Sequence, residues 1–181
     1  MDRRDFLLTS GTGLTAFSIP FTVNAAIGDK LLYPEVEKFN QQDWLTITAV
    51  QNHLFPSEDH VPGALEINAL RYLHNFLSNP ATDPVDIQFI LSGTHSLQQF
   101  ARQNHNIPFT QLSINEREQL LRKFEQQTDG RRWLTNILNY ILEALLTDPV
   151  YGGNPDQIGW KWLEHRAGEP RPPANKRYWL L

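Results

Sequence analysis

Six histidines, at 53, 60, 74, 95, 105 and 165, are the residues in this sequence best suited to metal binding or proton transfer. No two of them stand three or four positions apart, and none belongs to an H-E-x-x-H arrangement. The spacing that sets two imidazoles on one helix face for a metal is therefore missing, and they read as surface or helix-end histidines. "SEDH", Ser57 to His60, places a hydroxyl, two carboxylates and an imidazole side by side. Triad members normally arrive from separate elements, and this serine lacks the G-x-S-x-G elbow, so the stretch reads as a loop. The carboxylate pairs Glu58/Asp59 and Glu116/Glu118 sit where capping or solvation accounts for them. "GTGLTA", Gly11 to Ala16, imitates a dinucleotide-binding turn but has no strand before it and no βαβ pattern after it.

Composition narrows the classes further. The chain has 181 residues and no cysteine. Disulfides, thiolate catalysis, cysteine-held iron–sulfur clusters and covalent haem attachment are thereby excluded from it. The formal net charge is −4, and the only late basic run, "NKRY", offers just Lys176 and Arg177. Binding to a phosphate backbone needs clustered cations, so no nucleic-acid partner is expected. Hydrophobic residues at 40% and charged residues at 20% fit a soluble globular domain.

The start, "MDRRDFLLTSGTG", reads as an export signal. Arg3 and Arg4 supply the charged region, and Phe6 and Leu7 open an apolar stretch to about Val23. That stretch is softened by Thr9, Ser10, Gly11, Thr12, Gly13 and Pro20. It is mild for a membrane span, which needs about 20 predominantly apolar residues. "VNAA" offers small residues for cleavage after Ala25. The arrangement resembles a twin-arginine signal, with Asp2 where Ser or Thr is usual. The expected organisation is a signal over 1–25, a linker over 26–42, a helical domain over 43–168, and a Pro-rich, aromatic-ended tail over 169–181.

Helical periods fill the middle. Trp44, Ile47, Val50 or Gln51, and Leu54 make one face of a first helix that Asp43 can cap, ended by Pro56. A second helix is expected from about Gly63, with Leu65, Ala69, Tyr72, Leu73 and Phe76 on one side. A third runs from Pro84 to about His105, capped by Asp83, with Val85, Phe89, Leu97, Phe100 and Ala101 inward and Gly93 weakening its middle. Ser113 and Glu116 have capping-box spacing before Leu120, Leu121 and Phe124, and Gly130 is expected to stop that helix. Trp133, Leu134, Ile137, Leu138, Ile141, Leu142 and Leu145 keep two adjacent columns apolar, which predicts a central core helix. A short last helix is expected around "WKWLEHRAG", with Asn154 as cap, Pro155 first and Gly168 as stop. No alternating strand pattern appears, so the expected fold is all-α, an irregular bundle of five or six helices. The tail ends Tyr-Trp-Leu-Leu, which predicts docking on this domain or on a partner.

Two segments remain distinctive: "FPSEDHVPGALEINALRYLHNFL", with Pro62, Gly63 and Ala64, and "DPVYGGNPDQIGWKWL", with Tyr151, Gly152, Gly153, Asn154, Gly159 and Trp160. The second can be read as a tight interhelical turn clamped by aromatics, as a recognition surface, or as both. In this order, together with the arginine pair at the start, they resemble the small (gamma, subunit 3) proteins of gluconate 2-dehydrogenase type. The resemblance implies a non-catalytic subunit of a periplasmic dehydrogenase complex, held at the inner membrane through that complex. It further implies a large FAD-dependent partner of the glucose–methanol–choline type, often with a multihaem cytochrome c, and a chaperone-like small subunit that supports maturation and carries the flavoprotein to the twin-arginine translocation machinery. No cofactor is then expected in this chain, and no catalytic residue carries over. The alternatives are an independent secreted enzyme, hydrolytic or histidine-metal dependent, with a polar pocket at His60, or a periplasmic module for a small ligand. The subunit reading instead predicts exposed apolar or aromatic surface.

Overall fold

The computed structural model describes residue 36 and residues 38–173. The expected signal, with Arg3, Arg4, Phe6 and Leu7, and the tail end 174–181 lie outside the described residues. Six α-helices occur among those described: α1 Gln41–Leu54, α2 Ala69–Leu77, α3 Pro84–His105, α4 Ile114–Glu125, α5 Thr128–Leu146 and α6 Ile158–Trp162. Single 3₁₀ turns at Phe109–Gln111, Pro149–Tyr151 and Pro155–Gln157 join them. The fold is all-α, as the periodicity predicts.

The central position of α5 follows from its two apolar columns. It packs on each of the other five helices, burying Trp133, Leu134, Ile137, Tyr140, Ile141, Ala144 and Leu145. Each large side chain so buried contributes about 1.5–3 kcal/mol before entropy is subtracted. Leu138 and Leu142 lie at its half-buried edge.

Several boundaries differ from the sequence expectation for identifiable reasons. Asp43 is not the cap of α1. Asn40 is, and its side chain accepts from the Asp43 amide while the Asp43 carboxylate accepts from the Asn40 amide at 2.9 Å, a reciprocal capping box. The helix over 69–77 begins six residues later than expected, because 63–68 is held in turns by bonds from Ile67 N to Gly63 O (3.1 Å) and from Ala69 N to Ala64 O (3.0 Å). Leu65 is consequently 50% exposed. Val85, expected inside, is 71% exposed in the first turn of α3, while Ile90, Leu91 and Thr94 are buried there.

Two glycines read as helix breakers are packing devices. Gly93 lies inside α3 where a Cβ would overlap the Trp133 indole. Its absence lets that fully buried ring lie on the helix and donate Nε1–H to Ile90 O at 3.0 Å. Gly130 does not stop α4, which ends at Glu125. It sits in the first turn of α5, pressed on the Phe124 carbonyl. The last helix is shorter than expected and ends at Trp162, leaving Gly168 in open space.

Candidate functional site

The segment after α1 folds around a carboxylate. Glu66 Oε2 accepts from the Ser57 hydroxyl at 2.6 Å and from the Gly63 amide at 3.0 Å. Glu58 and Val61 exchange backbone bonds of 3.1 and 3.0 Å, and Ala64 N donates to Phe55 O at 2.8 Å. These contacts press residue 63 on the Pro56–Ser57 backbone, with only 2.7 Å available between a Cβ and Pro56 C, which explains glycine there. Burial alone would raise the Glu66 pKa. The hydrogen bonds from Ser57 and from the backbone outweigh it and hold the carboxyl below its ordinary value. The Ser57 hydroxyl thus donates to Glu66, while His60 stands exposed at φ 66°.

The segment after α5 closes the end of that helix. The last carbonyls of a helix have no partner within it, and here the motif residues supply them. Trp160 Nε1 donates to Leu146 O at 2.8 Å and Asn154 Nδ2 donates to Thr147 O at 3.0 Å. Asn154 Oδ1 in turn accepts from the Gly159 amide at 2.8 Å, folding α6 back on the end of α5. Gly153 and Gly159 are buried where a Cβ would strike the Ala144 and Leu145 carbonyls. Gly152 has φ 102°, the left-handed region open to glycine, and Asn154, Asp156 and Gln157 hold φ of 50°, 51° and 61°.

The two distinctive segments meet. Asn154 N donates to Ile67 O at 2.9 Å, and Asn75 Nδ2, from α2, donates to Tyr151 O at 3.1 Å. Phe55 and Trp162 pack edge to face with centroids 6.3 Å apart. Pro62, Gly63, Ala64, Gly153, Asn154, Gly159 and Trp160 are buried, and Tyr151 and Gly152 half-buried. The same segments and the end of α5 carry three exposed apolar residues, Leu65 at 50%, Leu146 at 50% and Leu163 at 41%. Motif positions therefore shape the backbone, and their neighbours face outward.

Sequence reasoning missed Glu66 and Asn75, and it missed the pair Asp148–Arg171. Arg171 Nε donates to Asp148 Oδ2 at 2.8 Å, and its guanidinium lies over the Trp160 ring, 5.3 Å from the centroid. Burial would raise the Asp148 pKa, but the Arg171 hydrogen bond, the Val150 amide and the arginine charge together hold it below the usual carboxylate range. A capping-box spacing signals Ser113/Glu116. No comparable spacing links 57 to 66 or 148 to 171.

The remaining histidines are dispersed. His53 pairs with Glu118 at 2.7 Å, His95 with Asp43 at 3.1 Å and His105 with Glu116 at 4.0 Å. His74 is a helix-end histidine, in the last turn of α2, but a buried one, its ring 5.3 Å from that of Trp44. Among the described residues no three His, Asp or Glu side chains are grouped to hold a metal ion, and no helix is long and apolar enough to cross a membrane.

The model of the family gluconate 2-dehydrogenase subunit 3 matches residues 41–168. The chain belongs to this family. The match runs from the first turn of α1 past α6, so both distinctive segments and the whole described bundle before the tail fall within the subunit 3 region. No curated protein and no solved structure was found to match the chain.

Proposed function

We propose that this chain is the non-catalytic small subunit of a periplasmic FAD-dependent dehydrogenase complex acting on a sugar, polyol or gluconate. It binds the flavoprotein subunit, supports its maturation and lends it a twin-arginine signal built on Arg3, Arg4, Phe6 and Leu7. The family match over 41–168 carries the subunit part of this reading. The geometry supports it, because the motif residues Gly153, Asn154, Gly159 and Trp160 direct their contacts to the end of α5, while Leu65, Leu146 and Leu163 present apolar surface. Redox chemistry would then sit on FAD in the large subunit, with a multihaem cytochrome c as electron acceptor where one is present. The complex would rest at the inner membrane through its other subunits.

Purification of a tagged chain from its native cell tests the partner. A co-purifying polypeptide with flavin absorbance is expected, and its absence under mild conditions would remove the reading. Export is tested separately by replacing Arg3 and Arg4 with lysine, which should leave the partner in the cytoplasm. Unchanged periplasmic dehydrogenase activity would overturn the carrier role alone.

A further inference from the structure

We propose that Asp148 and Trp160 form a recognition site for an arginine side chain of a partner polypeptide, which the chain's own Arg171 fills here from a displaceable arm. The occupant displays the chemistry. Arg171 Nε donates to Asp148 Oδ2 at 2.8 Å, and the guanidinium lies over the Trp160 ring, 5.3 Å from its centroid. A carboxylate beside an aromatic face favours a flat cation over the ammonium of lysine, which has no plane to stack.

Both walls are fixed by contacts that do not involve Arg171. Trp160 Nε1 donates to Leu146 O at 2.8 Å, and the His165 ring meets the indole edge to face with centroids 5.9 Å apart. Asp148 Oδ1 accepts from the Val150 amide at 3.1 Å, which leaves Oδ2 for the cation. A site set in advance loses little order when it is filled.

The occupant is held less firmly than the walls. Among the described residues, only the Arg171 side chain joins residues 166–173 to the rest of the molecule by a hydrogen bond or ion pair. The Arg171 amide stays within the arm, donating to Glu169 Oε2 at 3.1 Å. Pro170, Pro172 and Pro173 have no N–H to offer and stiffen the stretch. Gly168, just before it, stands in open space and can serve as the hinge. The subunit 3 match, 41–168, holds both walls and stops at that glycine, short of the occupant. The site thus belongs to the subunit 3 region, and the arginine that fills it here does not. Beside it, Leu146 is 50% exposed and Leu163 41%, which offers apolar contact to the residues flanking an incoming arginine. The site does not rest on the subunit reading, which supplies only the source of the arginine, the flavoprotein subunit.

Titration of the purified full chain with N-acetylarginine amide, followed at the Trp160 indole N–H by NMR, tests the site. Arg171→Ala should bind this probe about tenfold more tightly than the wild type, in which the tethered arginine competes at high effective concentration. Adding Asp148→Asn to Arg171→Ala should weaken binding about tenfold, the loss of one charge-assisted hydrogen bond. N-acetyllysine amide should bind more weakly than the arginine probe. In the wild type, saturating probe should also shift the Arg171 Nε–H signal, which keeps the test alive should Arg171→Ala fold poorly. No binding to Arg171→Ala, equal binding by the wild type, equal binding of the lysine probe, or an unmoved Arg171 signal at saturation would each overturn the site. Co-purification then tests the source. Asp148→Asn should lower the flavoprotein recovered with the tagged chain, whereas Arg171→Ala, which empties the site, should raise it. Equal effects of the two variants, or none from either, would overturn the partner arginine and leave the subunit reading in place.

Discussion

Asp43 and Asn154 are both polar, both fully buried, and both look like helix caps in the sequence, yet they hold the molecule in different ways. Asp43 completes the capping box of α1 and uses its other oxygen for α3, accepting from Gln98 Nε2 at 3.0 Å and meeting His95 Nε2 at 3.1 Å. Its partners keep access to water: Asn40 is exposed, Gln98 is half-buried and the His95 side chain is 52% exposed. Asn154 serves backbone groups instead, joining Ile67, Thr147 and Gly159, and Gly159 is itself buried. The cost of removing a buried polar group depends on what it strands, so the two residues should rank differently although their burial is equal.

Asn154→Ala should be the more damaging change. It strands the Gly159 N–H and the Thr147 carbonyl and leaves an alanine at φ 50°, for a combined loss of about 3 kcal/mol in urea unfolding. A loss below about 1 kcal/mol would mean that water replaces both bonds. Gly159→Ala and Gly153→Ala attack the same joint from the other side. Each drives a Cβ into a carbonyl at the end of α5 and should cost about 2 kcal/mol as overpacking, measured the same way. Gly168→Ala is their control, since nothing stands within 4 Å of its would-be Cβ, and it should leave stability unchanged.

Asp43→Ala should come third, at about 1.5 kcal/mol, because its freed partners turn to solvent. If it equals or exceeds Asn154→Ala, the contrast between the two anchors fails. Asp43→Asn sharpens it further. Asparagine keeps an acceptor for the Asn40 amide, so the capping part should survive while the contact with His95 weakens.

The same pair shows where the sequence was legible. Local rules placed α3 closely, with Asp83 as cap, Pro84 first and an end at about His105, because caps and periodicity act within a few positions. They also identified the central helix from its columns. They placed Asp43 and Asn154 near helix starts but could not tell their partners across the fold, since the Asp43 side chain meets Gln98 and the Asn154 backbone amide meets Ile67, both far away in sequence. Gly93 and Gly130 misled for the same reason: glycine lowers helix propensity locally, whereas its reason here is an indole and a carbonyl from neighbouring helices. The motif segments were legible as distinct, and their meeting through Asn154 N and Ile67 O was not.

The smallest expected effect separates the two regions by pH. Glu66 and Asp148 both belong to the joint around Asn154, and both have pKa values held below their ordinary 4.5 and 3.8. A carboxylate with a depressed folded pKa stabilises the fold fully above its unfolded value, and this stability is lost as pH falls through the folded one. Stability should therefore decline below about pH 4.5 first through Glu66, and at still lower pH through Asp148. Glu66→Gln and Asp148→Asn should each flatten the acid arm of the urea midpoint against pH while lowering its plateau slightly. Arg171 ties the second effect to the stretch it belongs to: once Asp148 is protonated or replaced, its guanidinium loses its hydrogen bond and keeps the Trp160 face and the charge of Glu169, so acid should loosen residues 169–173 before it unfolds the bundle. NMR of the Arg171 Nε–H and of the α5 amides against pH reads that order directly, with the Nε–H signal lost first and α5 protection later, and simultaneous loss would show that the joint and the core open as one unit.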